Sequence, residues 1–241
     1  MAQKENAKYF NFPISLLNGF MDNPKKVLDD ISDYCLYAHT LKLGDAQIFE
    51  KFETDEQGKM KAACNYFNMK VHTSMVFNNG KILYNNIPAN NPKVGLSLQI
   101  FWDYYNNSDN KTDFEKACFL AFLAIKSILL NKSYCRITNL YLWSRMSGMA
   151  KSVKDIVSLN PQIIPFAKEY QTAKIKKALR DTWGLVYYSR YTRGFYVSFT
   201  LNLEQLVLEA ESRRKSTKDK QYRERERQAI EKAKNILQTR P

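Results

Sequence analysis

For most of its length the chain spaces its apolar residues three to four apart, the period of a helix with one buried face. Asn23-Pro24 supplies an Asn cap and a first-turn proline, and Val27, Leu28, Ile31, Tyr34, Cys35, Ala38 and Leu41 then mark such a face, closed by Gly44. The segment from Asp45 to Phe67 predicts one or two further helices interrupted near Gly58. From Val71 to Ile87 two patterns compete. Asn79-Gly80 is a hairpin-turn pair, but Met75, Val76, Leu83 and Tyr84 fit a helix, which is the preferred reading. Asn91-Pro92 opens another helix that carries Leu98, Phe101, Trp102 and Tyr105. After the polar stretch 106–112 (NNSDNKT) a long helix runs from Asp113 to Asn131, with Asp113 and Glu115 at the positive end of its dipole. A short strand at 133–137 follows. Thr138 then caps a helix holding Leu140, Tyr141, Leu142, Trp143 and Met146, and Gly148 ends it.

A longer change of period lies in the stretch from Thr172 to Leu201. Thr172 is read as an N-cap, and Ile175, Ala178, Leu179 and Thr182 share one helical face. Gly184, after Trp183, is placed to end that helix in a left-handed conformation. Beyond it Phe195, Val197, Phe199 and Leu201 alternate with Tyr196, Ser198 and Thr200, the pattern of a strand with one buried side. Leu185 to Tyr191 supplies its partner, Arg190 and Arg193 flank the turn, and Gly194 is free to take the positive φ that a tight turn needs.

Helix, short strand, helix, basic helix and hairpin, with the punctuation W-G-L-V and then R-G-F-Y-V-S, resemble the winged helix-turn-helix family from Asp113 to Leu201. The resemblance implies a winged-helix domain (113–201). With the helical periods before it and the charged helix after it, the expected fold is mainly α with a small β-hairpin, a helical N-terminal domain (1–106) preceding and a basic C-terminal helical extension (202–241) following. One departure is plain. The family joins its second and third helices by a few residues, whereas here 23 residues, Met149 to Gln171, intervene. They are read either as an insertion with a small helix or as holding the recognition helix at Lys151 to Leu159. Thr172 to Trp183 is preferred because it directly precedes the wing.

Charge sharpens this picture. The chain of 241 residues carries a net +13, which favours an acidic partner. From Lys168 to Arg193 seven basic residues face only Glu169 and Asp181. Lys174, Lys177 and Arg180 are the candidates for the DNA groove, and Lys176, Arg190 and Arg193 for phosphates. Beyond the wing, Asn202 caps a helix with Leu203, Leu206, Val207 and Ala210 on one face. The region from Glu209 to Arg240 adds eleven basic and six acidic residues with a thin apolar stripe at Ile230, Ala233 and Leu237.

Catalytic patterns are sparse. There is no phosphate-cradling glycine loop and no nucleophile elbow. Cys35, Cys64, Cys118 and Cys135 lack metal spacing and are expected to be buried free thiols, and His39 is expected to be structural. Asp29, Asp30 and Asp33 form an acidic patch read as a solvated helix face, with a metal-dependent nuclease as the weaker alternative. Tyr188 and Tyr196 could stack on unpaired bases, although cross-strand packing is the favoured role. No signal peptide or membrane-length apolar run is present, so a cytoplasmic protein is expected. The function expected is non-enzymatic binding of double-stranded DNA, without cofactor or metal. The alternative is an assembly component that engages a protein partner or a second copy through its N-terminal part or C-terminal helix.

Overall fold

The computed structural model describes residues 8–45, 56–69, 74–189 and 194–238. It is mainly helical with small antiparallel sheets. The chain opens with a strand, β1 (Tyr9–Pro13), whose alternate residues Phe10 and Phe12 are wholly buried. Its partner is β2 (Lys93–Ser97), aligned antiparallel from Tyr9 opposite Ser97 to Pro13 opposite Lys93. This pair corrects two expectations. No strand was foreseen at the N-terminus, and the helix expected from Asn91-Pro92 is preceded by β2. The helix itself, α4 (Leu98–Asn107), is capped by Ser97, whose Oγ accepts from the Ile100 amide.

The helix α1 (Pro24–Asp45) packs on this ribbon, and α2 (Glu56–Phe67) and α3 (Ser74–Asn86) pack on α1. Asn23 caps α1 as foreseen, accepting from the Lys26 amide at 3.0 Å. Gly58 does not interrupt α2. The competing patterns at Asn79-Gly80 resolve to helix, and the glycine has a packing reason. A Cβ on Gly80 would lie 2.3 Å from the Asp33 carbonyl oxygen, so α3 crosses α1 where only glycine fits.

The helix α5 (Asp113–Leu129) is the centre of the molecule, with every residue from Ala117 to Ile125 buried. Thr112 and Glu115 close a reciprocal capping box at its start, in which the Glu115 amide donates to Thr112 Oγ1 and the Thr112 amide to Glu115 Oε2. One hydrophobic cluster joins α5 to Phe10, Phe12 and Phe101 on one side and to Leu142, Leu179 and Val197 on the other. The segment 106–112 is therefore bridged by continuous core. The four cysteines are free and buried. Among the described residues no helix is long and apolar enough to cross a membrane.

After α5 come β3 (Cys135–Ile137), α6 (Asn139–Met146), α7 (Glu169–Trp183), β4 (Val186–Tyr188), β5 (Phe195–Ser198) and α8 (Leu203–Gln238). The hairpin is not isolated: β5 lies between β3 and β4 in a three-stranded antiparallel sheet. Thr138 caps α6 and Asn202 caps α8, each through its side-chain oxygen. Between α6 and α7 the chain makes turns and a short 3-10 helix at Ile164–Phe166. No helix forms at Lys151 to Leu159, so that alternative site for the recognition helix is excluded. The intervening loop is anchored by buried Leu159, Ile163 and Ala167 and by the Ser144 and Ser147 hydroxyls, which accept from the Val153 and Asn160 amides.

Candidate nucleic-acid interface

The helix α7 begins four residues earlier than a cap at Thr172 would place it. Lys168 is its N-cap, without a side-chain bond, and Thr172 is 1% exposed inside the helix. Its hydroxyl accepts from the Trp143 indole N–H at 2.9 Å and donates to the Lys168 carbonyl at 2.9 Å. Thr172 therefore locks α7 to α6 instead of capping it. Ile175 and Leu179 continue the buried face, and Trp183 stacks on Phe122 of α5 at 4.9 Å between ring centres. Gly184 ends the helix at φ +67°, with the Leu185 amide donating back to the Leu179 carbonyl.

At about 100° per residue, burial of Thr172, Ile175 and Leu179 turns Tyr170, Ala173, Lys174, Lys177 and Arg180 toward solvent, and all five are exposed. The Lys174 ammonium lies 4.5 Å from the centre of the Tyr170 ring. Arg180 Nε donates to Asp181 Oδ1 at 3.1 Å, but both side chains are more than half exposed. An ion pair of that kind contributes at most about 1 kcal/mol, so a phosphate or base edge can displace the carboxylate. Lys177 reaches solvent on the same side.

Lys176 behaves differently from the other three. It sits at the border of the buried face, with its ammonium 4.5 Å from the Phe195 ring centre and 5.1 Å from that of Tyr187. Burial lowers its pKa from the ordinary 10.5. It braces the hairpin against α7 and does not project as a phosphate contact should. Arg190 and Arg193 lie outside the described residues. The sequence missed Tyr170. Its signal was the Tyr170–Lys174 spacing of four, which becomes visible only once the helix is known to begin at Glu169.

The acidic patch serves packing between helices. Asp29 accepts from the Tyr105 hydroxyl at 2.8 Å, Asp33 and Asp30 accept from the Asn79 amide at 2.8 and 3.2 Å, and Lys26 pairs with Asp30 at 3.0 Å. Among the described residues no three His, Cys, Asp or Glu side chains gather as metal ligands. His39 stacks on Tyr66 at 4.3 Å between ring centres. Comparison with protein-family models, with curated proteins and with solved structures finds no match for this chain.

Proposed function

We propose that this chain is a non-enzymatic DNA-binding protein of transcription-regulator or replication-initiator type, built on a winged helix-turn-helix unit. The order α5, β3, α6, α7, β4, β5, with β5 central in the sheet, supports that unit. The observation that carries the reading is the solvent side of α7, where Lys174, Lys177 and Arg180 stand together directly before the hairpin. At 1.5 Å per residue α7 is about 22 Å long, and with side chains a helix is about 10–12 Å thick. The major groove is about 12 Å wide, so the helix fits it. Arg180, released from Asp181, reads a base edge, while Lys174 and Lys177 neutralise flanking phosphates. Lys176 holds the wing in place, and the wing tip, with Arg190 and Arg193 in its sequence, meets the adjacent backbone.

The test is a fluorescence titration of the full chain on random-sequence duplex. Both lysines are exposed, so Lys174→Glu with Lys177→Glu leaves the fold intact and weakens binding by about tenfold or more. Unchanged affinity refutes the site. One observation favours a second reading as an assembly component. Beyond Arg214, residues 215–231 of α8 are exposed on all sides, Tyr222 and Ile230 included. Co-purification of a partner that depends on residues 212–240, without duplex affinity, selects that reading.

A further inference from the structure

The three-stranded sheet has two faces, and α7 covers only one. Phe195 and Val197, with Tyr187 opposite Val197, turn toward α7 and the core. Tyr196 turns the other way, together with its cross-strand partners Arg136 and Tyr188. The first turns of α8 lie over this outer face, where Leu206 and Ala210 are buried and the Tyr188 hydroxyl donates to Glu211 at 2.8 Å. Between sheet and helix is an open cavity of about 230 Å³, whose lining includes Arg136, Tyr188, Tyr196, Glu211, Arg214 and Lys218.

Charge, shape and spacing point to the same kind of occupant. Three cations line the cavity against one carboxylate, and that carboxylate already accepts from Tyr188 and from Arg214. The volume is below the roughly 300–1,000 Å³ of small-molecule pockets, so the cavity holds one unit of an extended chain instead of enclosing a ligand. The cationic line also continues past the cavity. Arg214, Lys218, Tyr222 and Arg225 follow one another at steps of four, four and three, on one side of α8. Tyr222 is 70% exposed. Basic side chains interleaved with aromatic rings suit a strand whose bases are free to stack, since a duplex keeps its bases turned inward.

We infer that this groove and the α8 stripe beyond it bind single-stranded nucleic acid. Phosphates lie against Arg136, Arg214 and Lys218, and bases stack on Tyr196 and Tyr222. The site is on the opposite face of the sheet from α7, so it stands or falls independently of duplex binding.

The experiment is fluorescence anisotropy of the full chain with a labelled oligothymidylate of about twelve nucleotides, and in parallel with a random-sequence duplex. Wild type binds the oligonucleotide. Arg136→Glu with Lys218→Glu, both exposed positions, weakens that binding about tenfold or more. It also makes log affinity against log salt shallower by about 1.4, at about 0.7 per phosphate contact on single strands. Tyr222→Ala weakens strand binding about fivefold or more with no change in that slope. Both variants keep the duplex affinity of wild type, and Lys174→Glu with Lys177→Glu shows the reverse pattern. The inference is overturned if wild type fails to bind the oligonucleotide. It is equally overturned if the Arg136, Lys218 variant, with an unchanged melting temperature, binds the strand as wild type does or loses only duplex affinity.

Discussion

Replacing Thr172 by valine removes a hydroxyl and keeps the side chain's shape. The Trp143 indole N–H, on a residue 6% exposed, then loses the acceptor that lies 2.9 Å away. A buried donor left without a partner costs about 1–3 kcal/mol. The other bond of that hydroxyl matters less, because the Lys168 carbonyl still receives the residue 172 amide at 2.8 Å. Threonine and valine have similar helix propensities, so the net loss is about 2 kcal/mol. For a chain of this size that lowers the melting temperature by roughly 4–8 °C. Far-UV circular dichroism measures it, and a double-mutant cycle assigns the cause. In a Trp143→Phe background the donor is already gone, so Thr172→Val costs less than about 0.5 kcal/mol, giving a coupling of about 1 kcal/mol or more. An equal cost in both backgrounds refutes the reasoning, and so does a single variant as stable as wild type.

Two further outcomes test the packing of the N-terminal half. Gly80→Ala gains about 1 kcal/mol of helix propensity. It also drives a methyl to within 2.3 Å of the Asp33 carbonyl oxygen and 2.9 Å of Tyr37 Cβ. The clash outweighs the gain, so the urea midpoint falls; an unchanged or raised midpoint contradicts the close crossing of α1 and α3. His39 gives a pH dependence. Burial, and secondarily Lys42, hold its folded pKa below the ordinary 6.5. On acidification the unfolded chain takes up this proton before the folded one, so stability falls as pH drops through 6.5 toward the folded value. His39→Gln flattens that fall between about pH 7 and pH 5, and parallel stability profiles contradict the assignment.

The sequence displayed features that depend on near neighbours. Thr138, Asn202 and Asn23 cap the helices they were read to cap, and the alternation from Phe195 gives a strand with Phe195 and Val197 buried, although it ends at a buried Ser198 instead of running on to Leu201. What it hid depends on distant partners. Tyr9–Pro13 alternates like a strand, but its partner lies some eighty residues away at Lys93–Ser97, and no turn signal links them. Pro92 suggested a helix start because a first-turn proline and the residue before a strand look alike locally. Thr172 looked like a cap because threonine before an apolar face usually is one, and the indole that claims its hydroxyl sits 29 positions back. Lys176 was grouped with its cationic neighbours because sequence gives its angle on the helix but not the hairpin folded over it. Gly80 showed the same ambiguity: as a turn residue it is common, and its use as a helix crossing is visible only with Asp33 in place.

The salt dependence of duplex binding tests the central claim most directly. On duplex each neutralised phosphate contributes about 0.9 to the fall of log affinity with log salt. Wild type is predicted to bind random duplex with a steep slope, and Lys174→Glu with Lys177→Glu to be shallower by about 1.8 as well as weaker. Identical slopes and affinities for the two proteins, or no duplex binding by wild type, contradict a DNA-reading role for the exposed face of α7.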